Sequence, residues 1–200
     1  MIAGILLASG ASRRFGSDKL LAPLGTRAVI QWSADALGSS VDALYVVVPV
    51  ASEALMRTLG EVPVRWVTNG EAHTGMSSSI RAGIAALDAG TEAAIVALGD
   101  QPLVDHAVVA RLVARWCEGG ARAVAPLYED GRGHPVLFDA SLFPALLALE
   151  GDRGARAVLD ALGDDIALVP IEGRAPADVD TTAALETVAA QLASREPGMA

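Results

Sequence analysis

Ile2-Ala3-Gly4-Ile5-Leu6-Leu7-Ala8-Ser9-Gly10-Ala11-Ser12-Arg13-Arg14-Phe15-Gly16-Ser17-Asp18-Lys19 begins as a continuous apolar run and passes directly into a loop of small and cationic residues. Such an unbroken run suits a strand covered on both faces, the usual state of a parallel sheet. The small residues behind it let backbone N–H groups approach a polyphosphate, and Arg14 and Lys19 supply charge that the backbone cannot. The loop is not a Walker A motif, because no Gly-Lys-Ser/Thr closes it, and it is not a GxGxxG dinucleotide fingerprint. Kinase and dehydrogenase readings thereby lose their main support. An ordinary βα loop with two surface arginines is the plainer alternative at this point.

Working outward, 43–49, 64–68, 93–98 and 123–127 are further apolar runs with strand character, after the first at 2–8. Between them, 28–37, 52–59, 76–87 and 105–116 carry helical spacing, for example Ile80, Ile84 and Leu87, with Asp105 placed to cap the fourth. This alternation predicts a three-layer α/β/α sandwich with a mostly parallel sheet, since parallel neighbours need crossover helices. Beyond residue 127 the pattern loosens: a turn at 129–133, a short strand at 135–138, helices at 141–149 and 155–162, a strand at 166–170 and a closing helix at 182–193. This half is expected to add an antiparallel edge and the wall of a second substrate site. The 200 residues fit one domain over 1–193, with 194–200 as a flexible tail.

Composition narrows the partners. A net charge of −9 without a basic, aromatic-interleaved patch argues against nucleic acid, while leaving room for a small anion in a local basic pocket. No apolar run approaches the roughly 18 residues of a membrane span, no signal-peptide pattern precedes the first run, and a single cysteine fits a reducing compartment, so a cytoplasmic protein is expected. Cys117 is expected to be a buried structural thiol beside Trp116. Of fifteen cationic residues only Lys19 is lysine, a fact equally compatible with chemical necessity and with chance.

Other segments bear chemistry. Leu98-Gly99-Asp100-Gln101-Pro102 places a carboxylate at the end of an apolar strand, where ligands of open α/β sheets gather. Asp100 beside a triphosphate makes sense as a magnesium ligand, and as a turn or cap residue otherwise. Asp178 and Asp180 are two apart, so an extended backbone points both carboxylates the same way; one of them completing the metal site and a solvated loop are equal readings. Gly75-Met76-Ser77-Ser78-Ser79 opens a helix whose N–H groups and hydroxyls suit a ribose, base or phosphate, or simply a serine cap. Arg132-Gly133-His134-Pro135 and Gly151-Asp152-Arg153-Gly154-Ala155-Arg156 put cations in turns that suit an anionic acceptor or plain surface. His134 shows no acid–base partner in the sequence, and His73 and His106 also stand alone.

Together these segments resemble the molybdenum-cofactor nucleotidyltransferase family, whose loop runs Leu-Ala-Ala-Gly-x-Ser-x-Arg-Met-Gly-x-x-Lys. Leu7-Ala8-Ser9-Gly10, Ser12, Arg14, Phe15-Gly16 and Lys19 follow it, with Ser9 and Phe15 as departures. The resemblance continues through Gly75-Met76, Ser79, Gly99-Asp100-Gln101-Pro102, Gly133-His134-Pro135-Val136, Gly151-Asp152, Gly154-Ala155-Arg156 and Asp178-Val179-Asp180-Thr181. It implies a Rossmann-like, GT-A-like nucleotidyltransferase fold and Mg²⁺-dependent transfer of a nucleotide to the terminal phosphate of molybdopterin, with release of pyrophosphate. Arg14, Lys19 and Asp100 are the implied catalytic residues. Leu7, Ala8, Ser9, Gly10, Lys19, Ser79 and Asp100 are the implied nucleotide contacts. Asp100 and Asp180 would hold the metal, and His134 and Arg156 the acceptor. The chain looks most like the members that use CTP, because guanylyl-transferring relatives usually carry two adjacent glycines where this chain has Ser9-Gly10, and a side chain there crowds a purine. GTP, another phosphorylated acceptor, or a non-catalytic nucleotide-binding chaperone for a molybdoenzyme are the alternatives. A molybdoenzyme receiving the product is the implied transient partner.

Overall fold

The computed structural model describes residues 1–10, 15, 18–50, 52–60 and 62–195, apart from the side chains of Asp164 and Arg195. In chain order the strands are β1 (Ile2–Leu7), β2 (Pro23–Leu24), β3 (Arg27–Ala28), β4 (Ala43–Pro49), β5 (Val64–Asn69), β6 (Ala93–Leu98), β7 (Ala123–Tyr128), β8 (Gly131–Arg132), β9 (Val136–Asp139) and β10 (Ile166–Pro170). The α-helices are α1 (Val29–Gly38), α2 (Glu53–Thr58), α3 (Met76–Ala85), α4 (His106–Cys117), α5 (Phe143–Leu147), α6 (Arg156–Leu162) and α7 (Thr182–Arg195). The short hairpin of β2 and β3 stands apart from the main sheet.

The main sheet runs β10-β7-β9-β6-β1-β4-β5, with β8 paired to β7. β1 lies parallel to both β4 and β6, pairing Leu6 with Val46 on one side and with Ala97 on the other. Because successive side chains face opposite ways, the same strands feed two cores. Leu6, Val46, Val48 and Ile95 pack with residues of α1, α4 and α7. Ile5, Tyr45, Val47 and Val96 pack with residues of α3, α5 and α6. The expected three-layer sandwich follows from this arrangement.

α3 lies so close to β1 that a Cβ on Gly83 would meet Ile5 Cγ2 at 2.6 Å. α4 begins where expected, its first turn capped by Asp105, whose carboxylate accepts from the Ala107 N–H at 2.8 Å. Two expectations are corrected. β9 is antiparallel but is no edge: it lies between β6 and β7, pairing Leu137 with Ile95 and with Val124. Val136, Leu137 and Phe138 are all buried, and an apolar triplet needs cover on both faces; β10 takes the edge instead. Cys117 is exposed. The inward stripe of α4 runs through Val109, Leu112, Val113 and Trp116, and Cys117 falls beside it as the helix ends. The closing helix runs to Arg195, so the expected tail beyond it lies outside the described residues. Among those residues no helix is long and apolar enough to cross a membrane.

Candidate nucleotide site

The chain leaves β1 toward β4 and β5 on one side and returns to β6 on the other, which makes the carboxyl ends of β1 and β6 a switch point where a crevice must open. A cleft of about 690 Å³ lies there, lined by Leu7, Ser9, Gly10, Lys19, Ser79 and Asp100, with Gly75, Met76, Asp152, Asp178 and Asp180 from other segments. Ala8 belongs beneath it instead: its N–H is bonded to Val47 O at 2.8 Å and its side chain lies in the core. Arg14, with Ser12 and Gly16, lies outside the described residues.

The centre of the cleft is ionic. Lys19 Nζ donates to Asp100 Oδ2 at 2.5 Å and to Asp180 Oδ1 at 2.7 Å. Lys19 is delivered by a single 3₁₀ turn, Lys19–Leu21, whose start is capped by Asp18 accepting from the Leu20 N–H. Asp180 arrives from the far end of the chain, positioned by the fully buried Val179, whose N–H bonds to Asp100 O at 2.9 Å. Val179 thereby pins its two acidic neighbours at the crevice: Asp180 meets Lys19, and Asp178 accepts from Gln101 Nε2 at 2.7 Å. Burial works against the charged Lys19, but its hydrogen bonds to Asp100 and Asp180 and their charges outweigh that and hold the ammonium above its usual range. Loss of solvent pushes the Asp178 carboxyl up, opposed by the Gln101 bond and reinforced by the charges of Asp100 and Asp180.

A hydroxyl relay forms the other wall. Ser9 Oγ and Ser79 Oγ share a hydrogen bond of 2.5 Å, and Asn69 Nδ2 donates to both Ser78 Oγ and Ser79 Oγ, at 2.9 and 3.0 Å. The Ser9 side chain is therefore turned onto α3. The start of α3 is not capped by a serine: Asp152 Oδ1 accepts from the Met76 N–H at 3.1 Å. Gly75, at φ 114°, allows that approach, since a Cβ there would meet the Asp152 and Gly151 backbone at 2.9 Å. The carboxylate takes the place at the helix N-terminus that an external anion would seek.

Met76 and Asp152 also border a second cleft of about 480 Å³, lined by Arg132, His134, Arg153 and Arg156 over an apolar floor of Val96, Ala125 and Phe138. Asp160 pairs with both Arg132 and Arg153 at 3.4 Å. Burial holds the His134 imidazole below its usual range, against the Val96 carbonyl and the charges of Asp178 and Asp100, and its Nδ1 has no hydrogen-bond partner. The two residues expected at an acceptor thus share a cleft beside the ionic one. Sequence reading missed Asn69, Gln101 and the role of Asp152. Asp152 had a signal in the Gly-Asp-x-Gly run and Gln101 in the Gly-Asp-Gln-Pro run; Asn69 merely ends an apolar strand.

The arrangement accommodates a divalent cation by its donor chemistry: Asp100 and Asp180 already meet on one cation, the Lys19 ammonium, and Asp178 lines the same cleft. Among the described residues no three His, Cys, Asp or Glu converge on one point. Such an ion would therefore take one or two protein carboxylates and complete its shell with phosphate oxygens and water, the habit of magnesium.

An open, mostly parallel sheet with an ionic, hydroxyl-lined crevice at its switch point defines an α/β nucleotide-handling class. Comparison with known proteins narrows it: the chain belongs to the MobA-like NTP transferase domain family, whose model matches residues 4–166, and is a nucleotidyltransferase of that type. It is 32% identical over 198 residues to a probable molybdenum cofactor guanylyltransferase of Mycobacterium avium, covering 94% of this chain and 95% of the relative. It is 33% identical over 166 residues to nicotine blue oxidoreductase of Paenarthrobacter nicotinovorans, covering 79% and 81%. The crystal structure of the Rv0371c homologue from Mycobacterium sp. strain JC1 superposes with a TM-score of 0.88 at 28% identity, over 98% of each chain.

Proposed function

We propose that this protein transfers a nucleotide from a nucleoside triphosphate, CTP on the Ser9 argument, to the terminal phosphate of a molybdopterin-type acceptor. The observation that carries the reading is the convergence of Lys19, Asp100 and Asp180 in the cleft that Ser9, Gly10 and Ser79 line. Ser9 and Gly10 would lie along the nucleotide, and Lys19, with Arg14, would face its phosphates. Asp100 and Asp180 would hold Mg²⁺, which supplies charge neutralisation on the triphosphate. An acceptor seated on the apolar floor of the second cleft, near His134 and Arg156, presents its phosphate toward the first. An oxygen of that phosphate attacks the α-phosphorus in line, the bond to pyrophosphate breaks, and Lys19 and Arg14 counter the charge gathering on the leaving group. No side-chain nucleophile is required.

GTP is the second reading. It is favoured by the relative named a guanylyltransferase and by the Ser9 hydroxyl being held against Ser79, which lessens the crowding of a purine. The deciding experiment measures pyrophosphate release with Mg²⁺ and molybdopterin, comparing CTP, GTP and ATP. Release with CTP alone is expected, reduced on the order of 10²- to 10³-fold in Asp100→Asn, by analogy with loss of one transition-state contact. Preference for GTP would move the assignment to guanylyl transfer. Tight nucleotide binding with no release would make the protein a nucleotide-binding partner of a molybdoenzyme. Oxidation of NADH or NADPH in the same samples would point to redox chemistry like that in the name of the second relative.

A further inference from the structure

We propose that Lys19 locks the Asp100–Asp180 pair against free divalent cations, and that the phosphates of an incoming nucleotide release the lock, so that nucleotide and metal enter together. The proposal rests on the nucleotide-binding part of the reading above and concerns how the site is loaded.

The ammonium and a divalent ion compete for the same two carboxylates. Lys19 Nζ lies 2.5 Å from Asp100 Oδ2 and 2.7 Å from Asp180 Oδ1, so a second cation joining either carboxylate is repelled by the ammonium already there. The pairing is not that of three loose surface side chains. Lys19 is only 8% exposed, and its neighbour Leu20 is buried in the core at 4%, which fixes the turn that carries the lysine. Asp100 and Asp180 are tied to each other through the Val179 N–H, and Val179 is itself fully buried. Three anchored segments, distant in sequence, therefore close on one cation shared by two carboxylates. Metal arriving alone must break that pair and leave the Lys19 ammonium facing the newly bound cation. Metal arriving with a triphosphate offers the ammonium new oxygens within the same cleft, where Ser9 and Gly10 also lie. The exchange then keeps every charge partnered. By linkage, nucleotide must raise metal affinity and metal must raise nucleotide affinity by the same factor.

The test reads metal binding directly, from the electron paramagnetic resonance of free Mn²⁺, with no turnover. Wild-type protein is titrated with Mn²⁺ alone and with α,β-methylene analogues of CTP and GTP; Lys19→Met, Lys19→Arg and Lys19→Met/Asp100→Asn are titrated with Mn²⁺ alone. We expect the analogue to tighten Mn²⁺ binding to wild type at least about tenfold beyond its own affinity for Mn²⁺, and Lys19→Met to show a similar gain without nucleotide, since an opposing charge at this range outweighs surface screening. Lys19→Arg keeps the cation and is expected to exclude Mn²⁺ like wild type, and the double variant to lose the gain. Equal Mn²⁺ affinity in wild type and Lys19→Met, or wild-type affinity indifferent to the analogue, would overturn the lock. Indifference of wild type to the analogue would overturn the lock even if Lys19→Met does not fold, and Lys19→Arg beside the parent then carries the comparison. Pyrophosphate release is scored separately, so a working lock without transfer would count against the transferase reading alone.

Discussion

His134 is held neutral by its surroundings, and this makes it a source of acid sensitivity. Its folded-state pKa is depressed, so the stability it contributes is present above the unfolded-state value of about 6.5 and is lost as pH falls through the folded value. Between those limits the unfolded chain binds a proton that the folded one refuses, at a cost of up to about 1.4 kcal/mol per pH unit. Denaturant titrations at steps from pH 7.5 to 5 are expected to show this slope in wild type and a shallower one in His134→Asn; parallel slopes would refute the assignment. Lys19 works in the opposite sense. Its raised pKa gives a contribution that is constant through neutrality and fades only on the alkaline side. The residues of the site were legible in unequal measure. Lys19, Asp100, Ser9 and Ser79 stand in short runs whose types match phosphate and metal chemistry. Asn69 and Gln101 act through hydrogen bonds formed only once the chain has folded back, to Ser78 and Ser79 in one case and to Asp178 in the other, and no local pattern announces such bonds.

Among the elements, α3 is the one that both core and crevice depend on. Its N-terminal turn carries Ser79 to the cleft and is fastened by Asp152, while Gly83 presses on β1 further along. Gly83→Ala gains about 1 kcal/mol of helix propensity but forces a methyl group against Ile5, whose branched side chain cannot rotate away freely. Overpacking of this kind costs about 1–3 kcal/mol. A net lowering of Tm by a few degrees, about 2–4 °C per kcal/mol for a chain of this size, is expected by calorimetry; a rise would show that the contact relaxes. Strand and helix positions in the first half were readable because β1, β4 and β6 are apolar runs covered on both faces and each helix has one inward stripe; β5, at the sheet edge, keeps Arg65 and Thr68 exposed. The place of β9 was not readable. A short strand declares its burial through Val136-Leu137-Phe138, but nothing in those residues says which two strands it separates. Cys117 was misjudged for a related reason: one residue of phase on α4 decides between core and solvent.

For the whole molecule, the insertion of β9 means that the second half completes the sheet rather than decorating it. Without β9 the flank of β6, including Ile95 and Val96, loses its pairing partner. The protein is therefore expected to unfold as one unit. Its three tryptophans, Trp32, Trp66 and Trp116, all precede β7, and Trp116 donates to Asp139 Oδ2 at 3.2 Å, so fluorescence follows the first half and its seam with β9 while far-UV circular dichroism follows the entire chain. Coincident denaturation curves are expected from the two, together with no cooperative transition for a fragment ending at Gly120. Separated curves would instead divide the chain into two domains.

The sole lysine of the chain lies at the bottom of the crevice. Apart from an amino terminus, an acylating reagent directed at primary amines thus has one place to go, and that place is shielded by two carboxylates until something draws the side chain out. A mass increment at Lys19 would then act as a clock for the opening of the crevice, with no labels engineered and no other lysine to subtract.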